Sequence, residues 1–289
     1  MTKVSDAGFE VTGRTTFICD YSPPRSGNPC QIDTPPSEAD FLLVNRNPGR
    51  AARTDSAMLA AHLRQRTGQE VIFALLTRDM NRLAIQSYLL GAQLLGLENV
   101  VIAQGDPFTT VDADSVSAVR EYRPTELIEA IAAMNRGTDF RSRSLDSPSS
   151  FCVGATLDPS ADLLRQVALA SRKVSAGAGF LVTQPIFDPK IAFDFQAQLA
   201  RLQGDAAKAP VYWGLQLLES GSISMGAVPE SIRYDLEAGR PGVDIALELY
   251  EGFRNASIHN IYLLPSIRRG GIRDYSGAQE FMAAARALK

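Results

Sequence analysis

Residues 151–184 read FCVGATLDPSADLLRQVALASRKVSAGAGFLVTQ, and the reading of this stretch decides the fold. An apolar run opens it at 151–157 and another closes it at 180–184. Between them Leu163, Val167, Ala170 and Val174 share one helical face, with Ser160 placed to start the helix and Gly177 to stop it. Strand, helix and strand in that order make a βαβ unit. Both runs are apolar through consecutive positions, which predicts parallel strands covered on both faces. Gly177-Ala178-Gly179 precedes its strand instead of following one, so it is not a dinucleotide-binding fingerprint.

The unit repeats outward in both directions. Further strands are predicted at 17–21, 41–45, 71–77 and 100–104 on one side, and at 211–217 and 261–264 on the other. Thr54 is placed to cap a helix running to about Arg66. Asp79 would cap the next, with Leu83, Leu90 and Leu94 sharing a face and Gly96 as its stop. Asp188-Pro189 opens another, with Phe195, Leu199 and Leu202 inward, and Pro241 opens one with Val243, Leu247 and Tyr250 on one side. Repeated strand–helix alternation predicts an α/β protein, a single (β/α)8 TIM barrel over 1–289. A doubly wound open sheet is built from the same units and is the alternative. Segments 30–39 and 136–150, rich in Pro, Ser, Thr and Arg, read as surface loops.

A formal net charge of −3 gives no basic face for nucleic acid. No apolar run approaches the roughly 18 residues of a membrane span, and no secretory leader is visible, so a cytoplasmic protein is expected. Cys19, Cys30 and Cys152 are odd in number and widely spaced, which suits neither zinc nor a disulfide framework. Composition leaves a homo-oligomer open.

In such a barrel the working groups come from the C-terminal ends of strands and the loops that follow. Those positions carry Asp20, Asn45, Thr77, Arg78, Asp79, Asp106, Thr156, Asp158, Gln184, Gln216 and Ser266. No histidine is among them, because His62 lies mid-helix and His259 ahead of the last strand. Proton transfer then falls to carboxylates, which act near neutral pH only when burial or a neighbouring charge tunes them. Asp20, in Cys19-Asp20-Tyr21-Ser22-Pro23-Pro24-Arg25, is either such a group or the partner of Arg25 in a salt bridge. Asp106, in Gly105-Asp106-Pro107, is either a site residue or the start of an Asx-type turn. Gln184 offers donors and an acceptor together, which suits the edge of a pterin or flavin and equally suits loop backbone.

Taken together, several segments resemble the methylenetetrahydrofolate reductase family: Asp20-Tyr21-Ser22-Pro23-Pro24-Arg25, Leu76-Thr77-Arg78-Asp79, Gly105-Asp106-Pro107, Val153-Gly154-Ala155-Thr156, Arg172-Lys173-Val174-Ser175-Ala176-Gly177-Ala178 and Thr183-Gln184-Pro185-Ile186-Phe187-Asp188. The resemblance implies a (β/α)8 barrel carrying FAD and using NADH or NADPH to reduce 5,10-methylenetetrahydrofolate to the 5-methyl form. It implies catalytic roles for Asp20, where the family has glutamate as acid, and for Asp106, which steadies a cation near the flavin. Gln184 matches the glutamine that binds the pterin ring, and Arg25 and Gln216 are taken with it as substrate-binding residues. Asn45, Thr77, Arg78, Gln104, Gly105, Asp106, Ala155, Thr156, Asp158, Arg172 and Lys173 fall to the cofactor. Leu75 and Ala155 stand where relatives set histidine and tyrosine against the flavin. A flavin-free folate reductase and a pterin-binding methyltransferase barrel serving a corrinoid partner are the competing readings.

Overall fold

Eight strands pair in chain order and close on themselves, each parallel to the next and the last returning to the first. They are β1 (Thr16–Tyr21), β2 (Phe41–Val44), β3 (Glu70–Leu76), β4 (Asn99–Ala103), β5 (Cys152–Leu157), β6 (Phe180–Pro185), β7 (Val211–Gln216) and β8 (Asn260–Leu264). This is the (β/α)8 barrel, seen in a computed structural model that describes residues 1–203 and 209–288. A short α1 (Phe9–Thr12) precedes the barrel. The outer layer holds α2 (Ser56–Thr67), α3 (Arg82–Leu94), α4 (Thr110–Ala113), α5 (Pro124–Asn135), α6 (Leu163–Ser175), α7 (Pro189–Gln203), α8 (Glu230–Glu237), α9 (Gly242–Asn255) and α10 (Tyr275–Ala287). The connection from β1 to β2 has only a single helical turn at Pro29–Gln31, as the composition of 30–39 suggested. α10 returns to β1, where Phe281 meets Phe17 edge to face.

Strand alternation divides the core in two. Phe17, Cys19, Leu42, Phe73, Leu75, Ala155 and Leu181 pack outward against the helices. Ile18, Phe41, Leu43, Ile72, Val101, Phe180, Val182, Tyr212, Tyr262 and Leu264 point inward and fill the barrel. Gly154 makes room there, since a Cβ at that position would lie 2.2 Å from the Phe180 ring. The interior is therefore packed, and chemistry is confined to the open end.

The opposite end is plugged by the N-terminal segment. Val4 is buried, its N–H donates to Asn99 Oδ1 at 3.1 Å, and its carbonyl accepts from Tyr212. Phe9 N–H donates to Asn260 Oδ1 at 2.7 Å, and the Phe9 ring stacks on His259. Two asparagines that open β4 and β8 thus hold the plug with side chains alone.

Several helix signals sit one or two residues from where the sequence suggested them. Asp55, not Thr54, caps α2, because its carboxylate reaches the Ala57 and Met58 amides. Asn81 caps α3, since Asp79 is drawn into ion pairs with arginines, and Asp162, not Ser160, caps α6. α3 carries two apolar stripes. Ile85, Leu89 and Ala92 are buried, leaving the face shared by Leu83, Leu90 and Leu94 exposed. Leu202, expected inward, is exposed near the end of α7. No helix among the described residues is long and apolar enough to cross a membrane.

Candidate active site

Asp20 ends the inward row of β1 and is almost wholly buried. A lone carboxylate there is untenable without partners. Three side chains supply them: Arg273 Nε donates to Oδ2 at 2.8 Å, Tyr262 Oη to Oδ1 at 2.8 Å, and Asn45 Nδ2 also to Oδ1. The salt bridge is to Arg273, not to Arg25, which is exposed. Burial, the Asp20 charge and the hydrogen bond to it push the Tyr262 phenol well above its ordinary pKa, so it remains a donor. Both Asp20 oxygens are occupied, and Asn45 is occupied with them. Tyr262 and Arg273 escaped the sequence reading. The alternation Asn260, Tyr262, Leu264 would have put Tyr262 on the inner face, whereas nothing local marks Arg273.

On the β2–β3 side, Arg46 lies over the Tyr88 ring and pairs with Asp55 at 2.8 Å and Asp79 at 3.6 Å. Asp79 also holds Arg78 at 2.8 Å. The buried Arg78 guanidinium in turn donates to the Asp106 carbonyl and lies 4.3 Å from the Phe108 ring centre. Gly105 has φ +84°, and a Cβ there would crowd Leu76 and Arg78 at 3.1–3.3 Å. Glycine therefore permits the turn and the close approach of Arg78 together. The outcome is an Asp106 main chain clamped from below. Its carboxylate is exposed and takes no hydrogen bond from a described residue.

On the far side, Lys173 of α6 is buried, and Nζ donates to the Thr156 carbonyl at 2.5 Å. No carboxylate among the described residues pairs with it. Burial, with a smaller push from Arg172, lowers its pKa to about 8. β6 bulges between Val182 and Pro185, where three steps oppose two on β7. Gly214 of β7 allows this: a Cβ there would lie 2.7 Å from the Gln184 carbonyl and from Pro185 N. Gln184 is half-buried on the bulge, and no described residue bonds its amide. Gln216 differs. Its Nε2 donates to the Ile223 carbonyl at 2.8 Å and its Oε1 accepts from Met225 N–H at 2.9 Å, so the amide is spent on the loop after β7.

The polar set at the mouth thus divides into tied and free groups. Asp20, Asn45, Arg78 and Gln216 are tied to protein. The Asp106 carboxylate, the Gln184 amide and the exposed Gln104 and Arg172 side chains face solvent, while the exposed Asp158 carboxylate accepts from Ser160 N–H at 3.2 Å. Thr156 is half-buried at the end of β5, and Thr77 is buried beyond β3. Ala155, expected against the cofactor, lies fully buried between barrel and helices, as does Leu75, because both fall on the outward parity of their strands. Side chains at those two positions cannot reach a ligand in the mouth.

The buried lysine gives a direct stability test. Lys173→Met is expected to raise stability by about 1–3 kcal/mol at pH 7, since a shift from 10.5 to about 8 corresponds to roughly 3 kcal/mol against the charged amine. The sign follows from linkage: the penalty is complete below pH 8 and disappears as the pH rises to 10.5. Urea midpoints of variant and parent should therefore converge between those limits. A variant less stable at pH 7, by a margin independent of pH, would contradict this.

Comparison with known proteins bears on the family and the fold. The sequence profile of the methylenetetrahydrofolate reductase family matches residues 9–220, which takes in β1 through β7. No curated protein matches the chain. Among solved structures, an uncharacterized protein from Clostridium thermocellum that binds two copies of 5-methyl-5,6,7,8-tetrahydrofolic acid has a TM-score of 0.65 over 97% of both chains. It is 11% identical, a likeness of fold.

Proposed function

Because the chain belongs to the methylenetetrahydrofolate reductase family, we propose that it reduces 5,10-methylenetetrahydrofolate to 5-methyltetrahydrofolate with NADH or NADPH. The observation that carries the reading is two free groups at the mouth, the Gln184 amide and the Asp106 carboxylate, beside neighbours tied to protein. An amide with both donor and acceptor open matches a pterin edge, and an open carboxylate on a clamped main chain suits a cation formed beside it. Folate binding by the Clostridium thermocellum protein of the same fold supports the substrate class.

The donor set also fits FAD. Lys173 of α6 is a buried cation without a carboxylate partner among the described residues, Arg172 precedes it on the same helix, and Thr156 and the Gly105 amide lie at the ends of the neighbouring strands β5 and β4, groups that would hold a diphosphate. FAD, when bound, supplies a two-electron relay between nicotinamide and folate. Asp106 then faces the substrate as its five-membered ring opens: N10 takes a proton, the C–N10 bond breaks, and the N5 iminium carries the positive charge. Hydride addition at that carbon leaves the 5-methyl group. Asp20, with both oxygens engaged, serves as the fixed negative charge of the β1 side and passes protons only through an intervening water.

Asp106→Asn is expected to lower kcat by about a hundredfold or more, as losing one aimed electrostatic group does, with little change in stability because the carboxylate is exposed. Gln184→Ala should raise KM for the folate more than it lowers kcat. Absorbance spectra of the purified protein with FAD, before and after NAD(P)H, test the cofactor. Flavin uptake and bleaching are expected; folate reduction at an unchanged rate by flavin-stripped protein would replace this reading with direct hydride transfer from nicotinamide.

A further inference from the structure

We infer that the outer face of α3 is an interface at which two copies of this chain pair, helix against antiparallel helix. The inference concerns the flank of the barrel and does not depend on the folate reading.

A helix of the outer layer turns one face to the strands and the other to water, and the wet face ordinarily carries charge. In α3 it does not. The chain has no charged residue from Leu83 to Leu97, with Arg82 just before and Glu98 just after. Ile85, Leu89 and Ala92 already serve the barrel, and on the opposite face Leu83, Leu90 and Leu94 stay 63%, 42% and 88% exposed. Ser87 and Gly91 run beside this stripe, and a Cβ at Gly91 would meet nothing within 4 Å, so a low shelf borders the leucines. Leu95 and Met58 of α2 widen the patch, 50% and 66% exposed. α2 is held beside α3 by Ser56 with Tyr88 and by Arg64 with the Gly96 carbonyl, each at 3.0 Å. The exposed apolar surface is on the order of 500 Å², the upper range for a monomer, and two copies reach the roughly 1,000 Å² that a specific interface needs.

The ends of the helix identify the occupant. The Arg82 guanidinium donates to the Glu121 carbonyl and lies over the Tyr122 ring, and no carboxylate among the described residues pairs with it. Glu98 accepts from the Ser150 hydroxyl and has no cationic partner among them. Leu90 stands midway between the two charges. A two-fold axis near Leu90 therefore brings Arg82 of each copy toward Glu98 of the other, the self-complementarity that an isologous contact requires. The helix dipoles also oppose one another in this arrangement. A lipid surface would call for cations along the face, and α3 has none between its ends. Barrel helices run opposite to the strands, so antiparallel α3 helices aim the two mouths in opposite directions and leave both open.

Sedimentation velocity of the full chain across the micromolar range tests the pairing. The parent is expected to dimerise in that range, as suits an interface of modest area. Leu90→Arg removes an apolar contact from each copy and sets like charges beside the axis, so the dimer Kd should rise about a hundredfold or more. Circular dichroism and the Tm of the dilute protein should stay those of the parent, because Leu90 faces solvent in the monomer. Arg82→Glu opposes two carboxylates at each end and should weaken the dimer about tenfold, and adding Glu98→Arg should restore it. Leu90→Arg decides alone if the Glu98→Arg chain does not fold. A parent that stays monomeric throughout overturns the inference, as does a dimer that Leu90→Arg leaves intact. A monomeric parent that binds phosphatidylglycerol vesicles, with binding lost in Leu90→Arg, gives the face to a membrane surface and overturns it as well.

Discussion

Arg273→Met is expected to destabilise the protein by about 3–5 kcal/mol, the cost of leaving a buried charge without its partner. Arg273 and Asp20 are 7% and 2% exposed and meet at 2.8 Å, so water cannot replace the lost guanidinium. Tyr262 and Asn45 still donate to Oδ1, but Oδ2 loses its donor. The double variant Asp20→Asn/Arg273→Met should recover much of the loss, because no buried charge remains in it. Urea denaturation of the two single variants and the double completes the cycle. Additive losses would show that the pair does not act as a unit.

The second large effect is expected from one methyl group. Gly214→Ala sets a Cβ 2.7 Å from the Gln184 carbonyl and Pro185 N, and these are backbone atoms that cannot rotate away. Either the bulge is pushed out of β6 or β7 retreats, at a cost of about 1–3 kcal/mol for the overpacking. Gln184 sits on that bulge, so its amide moves with it. We expect folate KM to rise at least tenfold, with circular dichroism still native at low temperature. A variant with native stability and unchanged KM would show that the β6–β7 approach does not position Gln184.

The strands were legible because parallel barrel strands are apolar on both faces, and runs such as 71–77 and 180–184 admit little else. Caps were misplaced because Thr54, Asp79 and Ser160 are each as good a cap locally as the residues used. Only the tertiary demand of Arg46 and Arg78 on Asp79 breaks the tie. The buried stripe of α3 was not legible for a similar reason: Leu83, Leu90, Leu94 and Ile85, Leu89, Ala92 are both helical, and only the second is buried in the fold.

The site was legible as a list of strand-end residues, and its division into tied and free groups was not. Gln184 and Gln216 look alike in sequence, yet one amide is open and the other is spent on loop backbone. Asp20 could not be matched to Arg273, because their contact joins the first strand to the loop after the last. Ala155 was assigned to the cofactor by resemblance, while strand parity turns it, like Leu75, to the helices.

The most direct test of the account is the fate of the folate itself. Purified protein, saturated with FAD and given 5,10-methylenetetrahydrofolate, would be assayed chromatographically for 5-methyltetrahydrofolate against nicotinamide oxidised. The account predicts one methyl product per NADH or NADPH consumed, with the rate falling about a hundredfold or more in Asp106→Asn. No methyl product under these conditions, or methyl transfer that needs no nicotinamide, would contradict it.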